Sequence, residues 1–98
     1  MKINLKTYKG ISYLSDDLDG APIKVGSKVR KVNSEENDTT ENGTEGIVIG
    51  SISEIIKPDN LPADYWYIVI WDDKKDLPIG VIGKKLQLIE DYEENKKN

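Results

Sequence analysis

The 98 residues carry 18 acidic and 14 basic side chains, a net charge of −4, and are 37% hydrophobic. A chain of this length forms one domain whose small core depends on a few large side chains. It has no cysteine and no histidine, which excludes disulfides, thiolate nucleophiles, the usual zinc sites and every histidine-dependent triad. We therefore expect a protein that is not an enzyme and that uses no metal ion or cofactor.

Localisation and partner class follow from the same composition. Residues 1–6 contain lysines with no apolar segment behind them, and no stretch approaches membrane-spanning length. We expect a cytoplasmic protein with no membrane partner, and the Lys-, Asn- and Ile-rich usage points to a bacterium or a phage. The acidic balance disfavours a nucleic-acid partner, because proteins that bind duplex DNA usually carry a positive excess.

Residues 1–22 are interpreted as an N-terminal extension that packs a strand or loop against the domain that follows. An alternating set indicates one short strand, a second apolar set follows it, and a loop with Gly and Pro closes the region at 16–22. The two apolar sets are Ile3, Leu5 and Tyr8, and Ile11, Tyr13 and Leu14.

The first half of the core domain reads as two strands joined by a polar loop. Residues 23–32 alternate like a strand, and residues 33–42 have no large apolar side chain, so we expect a mobile loop there. A second strand runs over residues 46–56. Gly46 marks a bulge or a close backbone approach in it, and Gly50 marks a bend.

The aromatic strand at residues 64–71 holds both tryptophans and ends at the acidic turn Asp72-Asp73. Aromatic and β-branched residues favour a pleated, packed surface. Alternation separates the two faces of this strand. The isoleucine-bearing face is the better core candidate, so we assign Trp66 to the core and offer the other face as partly exposed. That other face carries Tyr65, Tyr67, Val69 and Trp71.

The remaining elements are short. Residues 57–63 form a proline-bounded loop, and residues 77–82 form an edge strand, where a proline is tolerated. A single 3₁₀ turn follows at 83–86, and a last strand covers 86–89. Residues 91–98 are predicted to be a disordered charged tail.

Four segments together resemble the layout of SH3-like barrels, as found in Tudor-like, KOW-like and Mib-type modules. They are VGSKVR (25–30), GTEGIV (43–48), WYIVIWDD (66–73) and KKLQLI (84–89). The resemblance covers residues 23–90 and implies an all-β barrel of five or six antiparallel strands. Such barrels serve as peptide readers, RNA or ribosome binders and assembly subunits, so the resemblance implies a binding role without naming the ligand.

The leading functional hypothesis is a small protein-binding module, an adaptor or accessory subunit, whose contact surface is the aromatic strand and its acidic turn. Large amphipathic side chains suit such a surface, and the carboxylates favour a ligand carrying Lys or Arg. The candidate binding residues are Tyr13, Tyr65, Tyr67, Trp71, Asp72 and Asp73. The sequence does not indicate an oligomeric state.

Two alternatives stay open. An RNA- or ribosome-associated module of KOW or Tudor type would use the scattered basic residues, and a small acidic regulator would place its acidic loop in the basic cleft of an enzyme. The acidic loop at 33–42 weakens the first of these, since many relatives have a short basic loop there. The basic residues concerned are Lys28, Arg30, Lys31, Lys84 and Lys85.

Overall fold

The computed structural model describes residues 4–18, 20–53 and 65–90, and these form an all-β structure of two antiparallel sheets. A hairpin of β1 and β2 is one sheet, and the other five strands form the second in the order β6-β5-β4-β3-β7. The strands are β1 (Asn4–Tyr8), β2 (Ile11–Ser15), β3 (Lys28–Lys31), β4 (Glu45–Ser53), β5 (Tyr65–Trp71), β6 (Pro78–Ile82) and β7 (Leu86–Glu90). The all-β prediction is confirmed. The loop expected at 57–63 and the tail expected at 91–98 lie outside the described residues.

The five-stranded sheet is rolled. A 3₁₀ turn of three residues, Gly83–Lys85, joins β6 to β7, although these strands stand at opposite ends of the sheet. In a flat sheet, four strand spacings would hold them roughly 19 Å apart. A 3₁₀ turn advances only about 2 Å per residue, so the sheet must curl until its ends approach. β6 and β7 do not pair with each other, so the described strands make an open rolled sheet and not a closed barrel.

The inner face of the rolled sheet holds the main core. Trp71 is fully buried and Tyr67 is 2% exposed, and the Tyr67 hydroxyl accepts a hydrogen bond from the backbone N–H of Ile23 at 3.2 Å. The same cluster contains Ala21, Val29, Val48, Val69, Val81 and Leu86. A concave face closed from several sides needs bulky side chains to fill it, which explains why the largest aromatics point inward.

The prediction that Trp66 belongs to the core is wrong, because its side chain is 37% exposed. Trp66 lies on the outer face of β5, as do Ile68 and Ile70, but only the two isoleucines are covered there. Both faces of β5 are therefore buried from Tyr67 onward. Because both sets of alternating side chains are covered, alternation alone could not tell a core face from a surface face.

The N-terminal hairpin provides the cover on the outer face. Ile49, Ile68 and Ile70 form a second buried cluster, and Tyr8 and Tyr13 of the hairpin pack against it. The Tyr13 hydroxyl donates a hydrogen bond to the Ile49 carbonyl oxygen at 3.1 Å, and burial raises the pKa of Tyr13. A two-stranded hairpin has little stability by itself, so this packing is what holds the hairpin in place.

The hairpin docks on an irregularity in β4. The pairing register with β5 shifts between Val48 and Gly50, at the position where the sequence predicted a bend. A Cβ added at Gly50 would lie 2.8 Å from the Cβ of Ser15, which shows how closely β2 approaches. Gly46 also lies in a close approach, as predicted, since a Cβ there would be 2.6 Å from the Ile70 carbonyl oxygen.

Ser51, which is buried, connects β4 to the residues that leave β2. Its carbonyl oxygen accepts hydrogen bonds from the backbone N–H groups of Asp16 and Asp17 at 3.2 and 2.9 Å. Its hydroxyl accepts from the N–H of Leu18 at 2.9 Å, and its own N–H donates to the Ser15 hydroxyl at 3.0 Å. These bonds satisfy backbone groups that the hairpin would otherwise bury without partners.

We expect Gly50→Ala to lower the free energy of unfolding by about 1–3 kcal/mol, because the added methyl group overpacks against Ser15. Gly80→Ala is the matched control. It lies in β6 with no heavy atom within 4 Å of its added Cβ, and it should change stability by less than about 0.5 kcal/mol. Urea unfolding of both variants measures the difference, and equal effects would contradict the docking of β2 on this glycine.

Candidate functional site

The residues proposed from the sequence as a binding surface lie in separate parts of the structure. Tyr67 and Trp71 fill the inner core, and Tyr13 packs on the outer face against Ile49. Tyr65 is half-buried against the inner core. It begins β5, whereas the exposed Asp72 and Asp73 follow the end of that strand. The six residue steps from Tyr65 to Trp71 alone span about 20 Å. Tyr67 and Trp71 therefore offer no side-chain surface to a partner.

A groove of about 280 Å³ lies on another part of the molecule, beside β6. Four consecutive residues of β6 line it, so it runs along the edge of the strand and not over one face. The opposite wall is residues 37–40 of the loop between β3 and β4. We call this the β6 groove. Its lining is Lys31, Asn37, Asp38, Thr39, Thr40, Trp66, Ile79, Gly80, Val81, Ile82 and Lys85.

The edge of β6 that borders the groove has no strand partner in the described part of the chain. β6 is the end strand of its sheet and pairs only with β5, which confirms the edge strand predicted from its proline. Unpaired edges present rows of N–H and C=O groups that can pair with another extended chain.

Trp66 is the one residue lining the groove that is also among the exposed large hydrophobic residues of the described chain. It pairs across β5 and β6 with Ile82, and the two side chains share one face of the sheet. Tryptophan combines a large apolar area with few rotatable bonds, and it is enriched where proteins bind one another. Sequence reasoning missed Trp66 as a surface residue because it treated the isoleucine-bearing face of β5 as core throughout.

A shared carboxylate holds the groove walls together. Lys31 Nζ donates to Asp38 Oδ2 at 3.0 Å, and Lys85 Nζ lies 2.9 Å from Asp38 Oδ1 and 2.8 Å from Oδ2. Lys31 belongs to β3, Asp38 to the loop and Lys85 to the 3₁₀ turn. The Lys31 side chain is 3% exposed, and a buried ammonium needs a partner of opposite charge. We call this group the Lys31–Asp38–Lys85 cluster.

The contacts within the cluster shift the pKa values of Asp38 and Lys85 in opposite directions. The hydrogen bond from Lys85 holds the pKa of Asp38 well below its usual range, helped by the backbone N–H of Glu35 and by Lys31. The same contact raises the pKa of Lys85. A lowered carboxyl pKa stabilises the fold above the ordinary carboxyl value, and that stabilisation is lost only as the pH falls through the lowered pKa.

The loop at 33–42, which the sequence predicted to be mobile, makes several hydrogen bonds in the structure. Ser34 donates its hydroxyl to the Thr40 carbonyl oxygen at 2.8 Å, and its backbone N–H donates to Asn42 Oδ1 at 2.8 Å. Lys74 Nζ reaches the Thr39 carbonyl oxygen at 3.1 Å, and Thr40 is buried. The signal in the sequence was the density of Ser, Asn and Asp, whose short side chains bond to nearby backbone groups.

The basic residues of the nucleic-acid alternative are largely neutralised. Lys28 and Arg30 each lie 3.2 Å from a carboxylate oxygen of Glu45, and Arg30 and then Lys28 lower the pKa of that carboxyl. Lys31 and Lys85 both form ion pairs with Asp38. Within the described ranges, Lys84 alone of these five residues makes no ion pair.

The chain matches no protein-family model, no curated protein and no solved structure. Across residues 4–18, 20–53 and 65–90, no helix is long and apolar enough to cross a membrane. The same ranges contain no group of three or more His, Cys, Asp or Glu side chains placed to hold a metal ion.

We expect Asp38→Asn to lower the melting temperature clearly, because the buried Lys31 would lose its counter-charge. Glu36→Gln is the matched control, since Glu36 is an exposed carboxylate of the same loop. It should change the free energy of unfolding by less than about 0.5 kcal/mol. Thermal unfolding gives the stability of each variant, and amide chemical shifts of residues 37–40 report the position of the loop. Unchanged loop shifts in Asp38→Asn would contradict the role of the cluster.

Proposed function

We propose that this protein is a small non-enzymatic protein-binding module, an adaptor or accessory subunit, that holds an extended segment of its partner in the β6 groove. The observation that carries the proposal is the 37% exposed Trp66 near a strand edge that has no partner among the described residues. An extended segment added to such an edge gains main-chain hydrogen bonds, while side-chain contacts in the groove supply specificity.

Preorganisation supports the same proposal. The Lys31–Asp38–Lys85 cluster fixes the loop wall of the groove to β3 and to the 3₁₀ turn. A wall that is already ordered costs less conformational entropy on binding than a loop that must first be immobilised. The groove walls are therefore set to receive a ligand without first being rearranged.

We also propose that the rolled sheet is of the SH3-like barrel class. Support comes from the strand order, in which the last strand, β7, returns to pair with β3, the first strand of the sheet. The 3₁₀ turn before β7 and the strand after it fall where the sequence placed them. This class includes peptide-reading modules, which agrees with a groove for an extended segment.

A random-peptide display library, selected on the wild-type protein, tests the proposed function. For the selected peptides, Trp66→Ala should weaken binding by about tenfold or more, because a tryptophan in an interface often contributes about 1–2 kcal/mol to the binding free energy. Leu88→Ala is the control, since Leu88 is 42% exposed on β7 and does not line the groove. It should change affinity less than about twofold, by the same arithmetic.

Two results would contradict the proposal. One is a library that yields no peptide whose binding depends on Trp66. The other is a ligand set dominated by single-stranded RNA, with affinity that falls steeply as salt rises, which is the signature of phosphate contacts. Salt titration of any selected peptide and of a homopolymeric RNA separates these cases.

A further inference from the structure

The β6 groove carries more positive than negative charge among its lining residues. Two ammonium groups, of Lys31 and Lys85, face the single carboxylate of Asp38. Glu35, outside the lining, also forms an ion pair with Lys85: its carboxylate oxygen lies 4.0 Å from Lys85 Nζ, too far for a hydrogen bond, and its side chain is 72% exposed. The groove therefore favours a negative group over a positive one.

The two lysines differ in how completely their donors are used. Lys31 Nζ has three acceptors, namely Asp38 Oδ2 at 3.0 Å, the Ser34 hydroxyl at 2.5 Å and the Val32 carbonyl oxygen at 3.5 Å. Lys85 Nζ donates only to the two oxygens of Asp38. An ammonium group has three N–H donors, so Lys85 keeps one donor without an acceptor in the described part of the chain.

The β6 groove has no carboxylate that is free to bind a basic ligand among the described residues. Asp38, the one acid that lines the groove, already serves two lysines. Asp73 pairs with Lys74 at 3.0 Å, and Lys74 also contacts the loop wall through Thr39. The sequence had favoured a ligand with Lys or Arg at Asp72 and Asp73, and the charges around the β6 groove point the other way.

We propose that the β6 groove binds an extended peptide segment that carries an Asp or Glu side chain, whose carboxylate accepts a hydrogen bond from Lys85. An apolar side chain of the same segment packs on Trp66 and Ile82, which share one face of the sheet. A side-chain carboxylate is favoured over a chain terminus because it lets the ligand backbone continue along the whole edge of β6. This inference rests on the proposed function and specifies its partner.

The test uses the peptides selected by display, synthesised with capped termini so that side chains supply their only charges. Acidic residues should be enriched over basic ones relative to the starting library. In the tightest peptide, exchanging its Glu or Asp for Gln or Asn should weaken binding to the wild-type protein by about tenfold, as expected for one charge-assisted hydrogen bond.

The dependence on Lys85 is measured with three variants. For the Lys85→Gln protein, replacing the acidic residue of the peptide by its amide should change the binding affinity less than about twofold, because the carboxylate then has no ammonium partner to lose. Lys85→Arg should keep the acidic preference, which separates loss of the contact from loss of the fold. Lys84→Gln is the control, an exposed neighbouring lysine outside the groove, and it should leave the preference unchanged.

The outcomes separate this inference from the proposed function. Peptides that need Trp66 but show no acidic preference, or a basic one, would overturn the inference and leave the proposed function standing. An acidic preference that survives Lys85→Gln and disappears in Lys84→Gln would also overturn it. If no Trp66-dependent peptide is selected, both fall together.

Discussion

The carboxylate of Asp38 lies between two ammonium groups, and the groove beside β6 depends on that contact. An ammonium as buried as that of Lys31 is costly without a counter-charge, so the loop carrying Asp38 must close on β3 for the charge to be tolerated. Lys85 brings the 3₁₀ turn to the same point. One carboxylate thus joins β3 and the loop that follows it to the 3₁₀ turn, which lies 47 residues beyond Asp38 in the chain. Asp38 and Lys85 both line the groove beside β6.

The rolled sheet decides which aromatic side chain is left for a partner. A three-residue connection between its two end strands forces the sheet to curl. The side chains of Tyr67 and Trp71 are then buried on the concave face. The hairpin covers the convex face over Ile68 and Ile70, with Ser51 and Gly50 providing the docking position. Trp66 lies on the same face of β5 but is not part of that buried cluster, and its side chain is left to line the groove beside β6.

Local signals predicted the local structure. The proline in β6, the 3₁₀ turn at Gly83 and the bend at Gly50 were all readable, because each depends on residues close together in the chain. The faces of β5 were not readable. Alternation separates two faces, but it does not say that both are covered or where the cover stops. The closing of the loop by Asp38 was missed for a similar reason, since Lys85 is 47 residues away and no local pattern announces such a pair.

The most direct test of this account is a pH titration of the side-chain carboxyl carbon of Asp38 by NMR, with the amide shifts of residues 37–40 followed in the same spectra. An ordinary aspartate in a short peptide, with a pKa of about 3.9, serves as the reference. If Asp38 holds the loop, it is still ionised when the reference is half protonated, and the loop amides move only with Asp38 at lower pH. Titration of Asp38 at or above the reference value, with the loop amides unaffected, would contradict it.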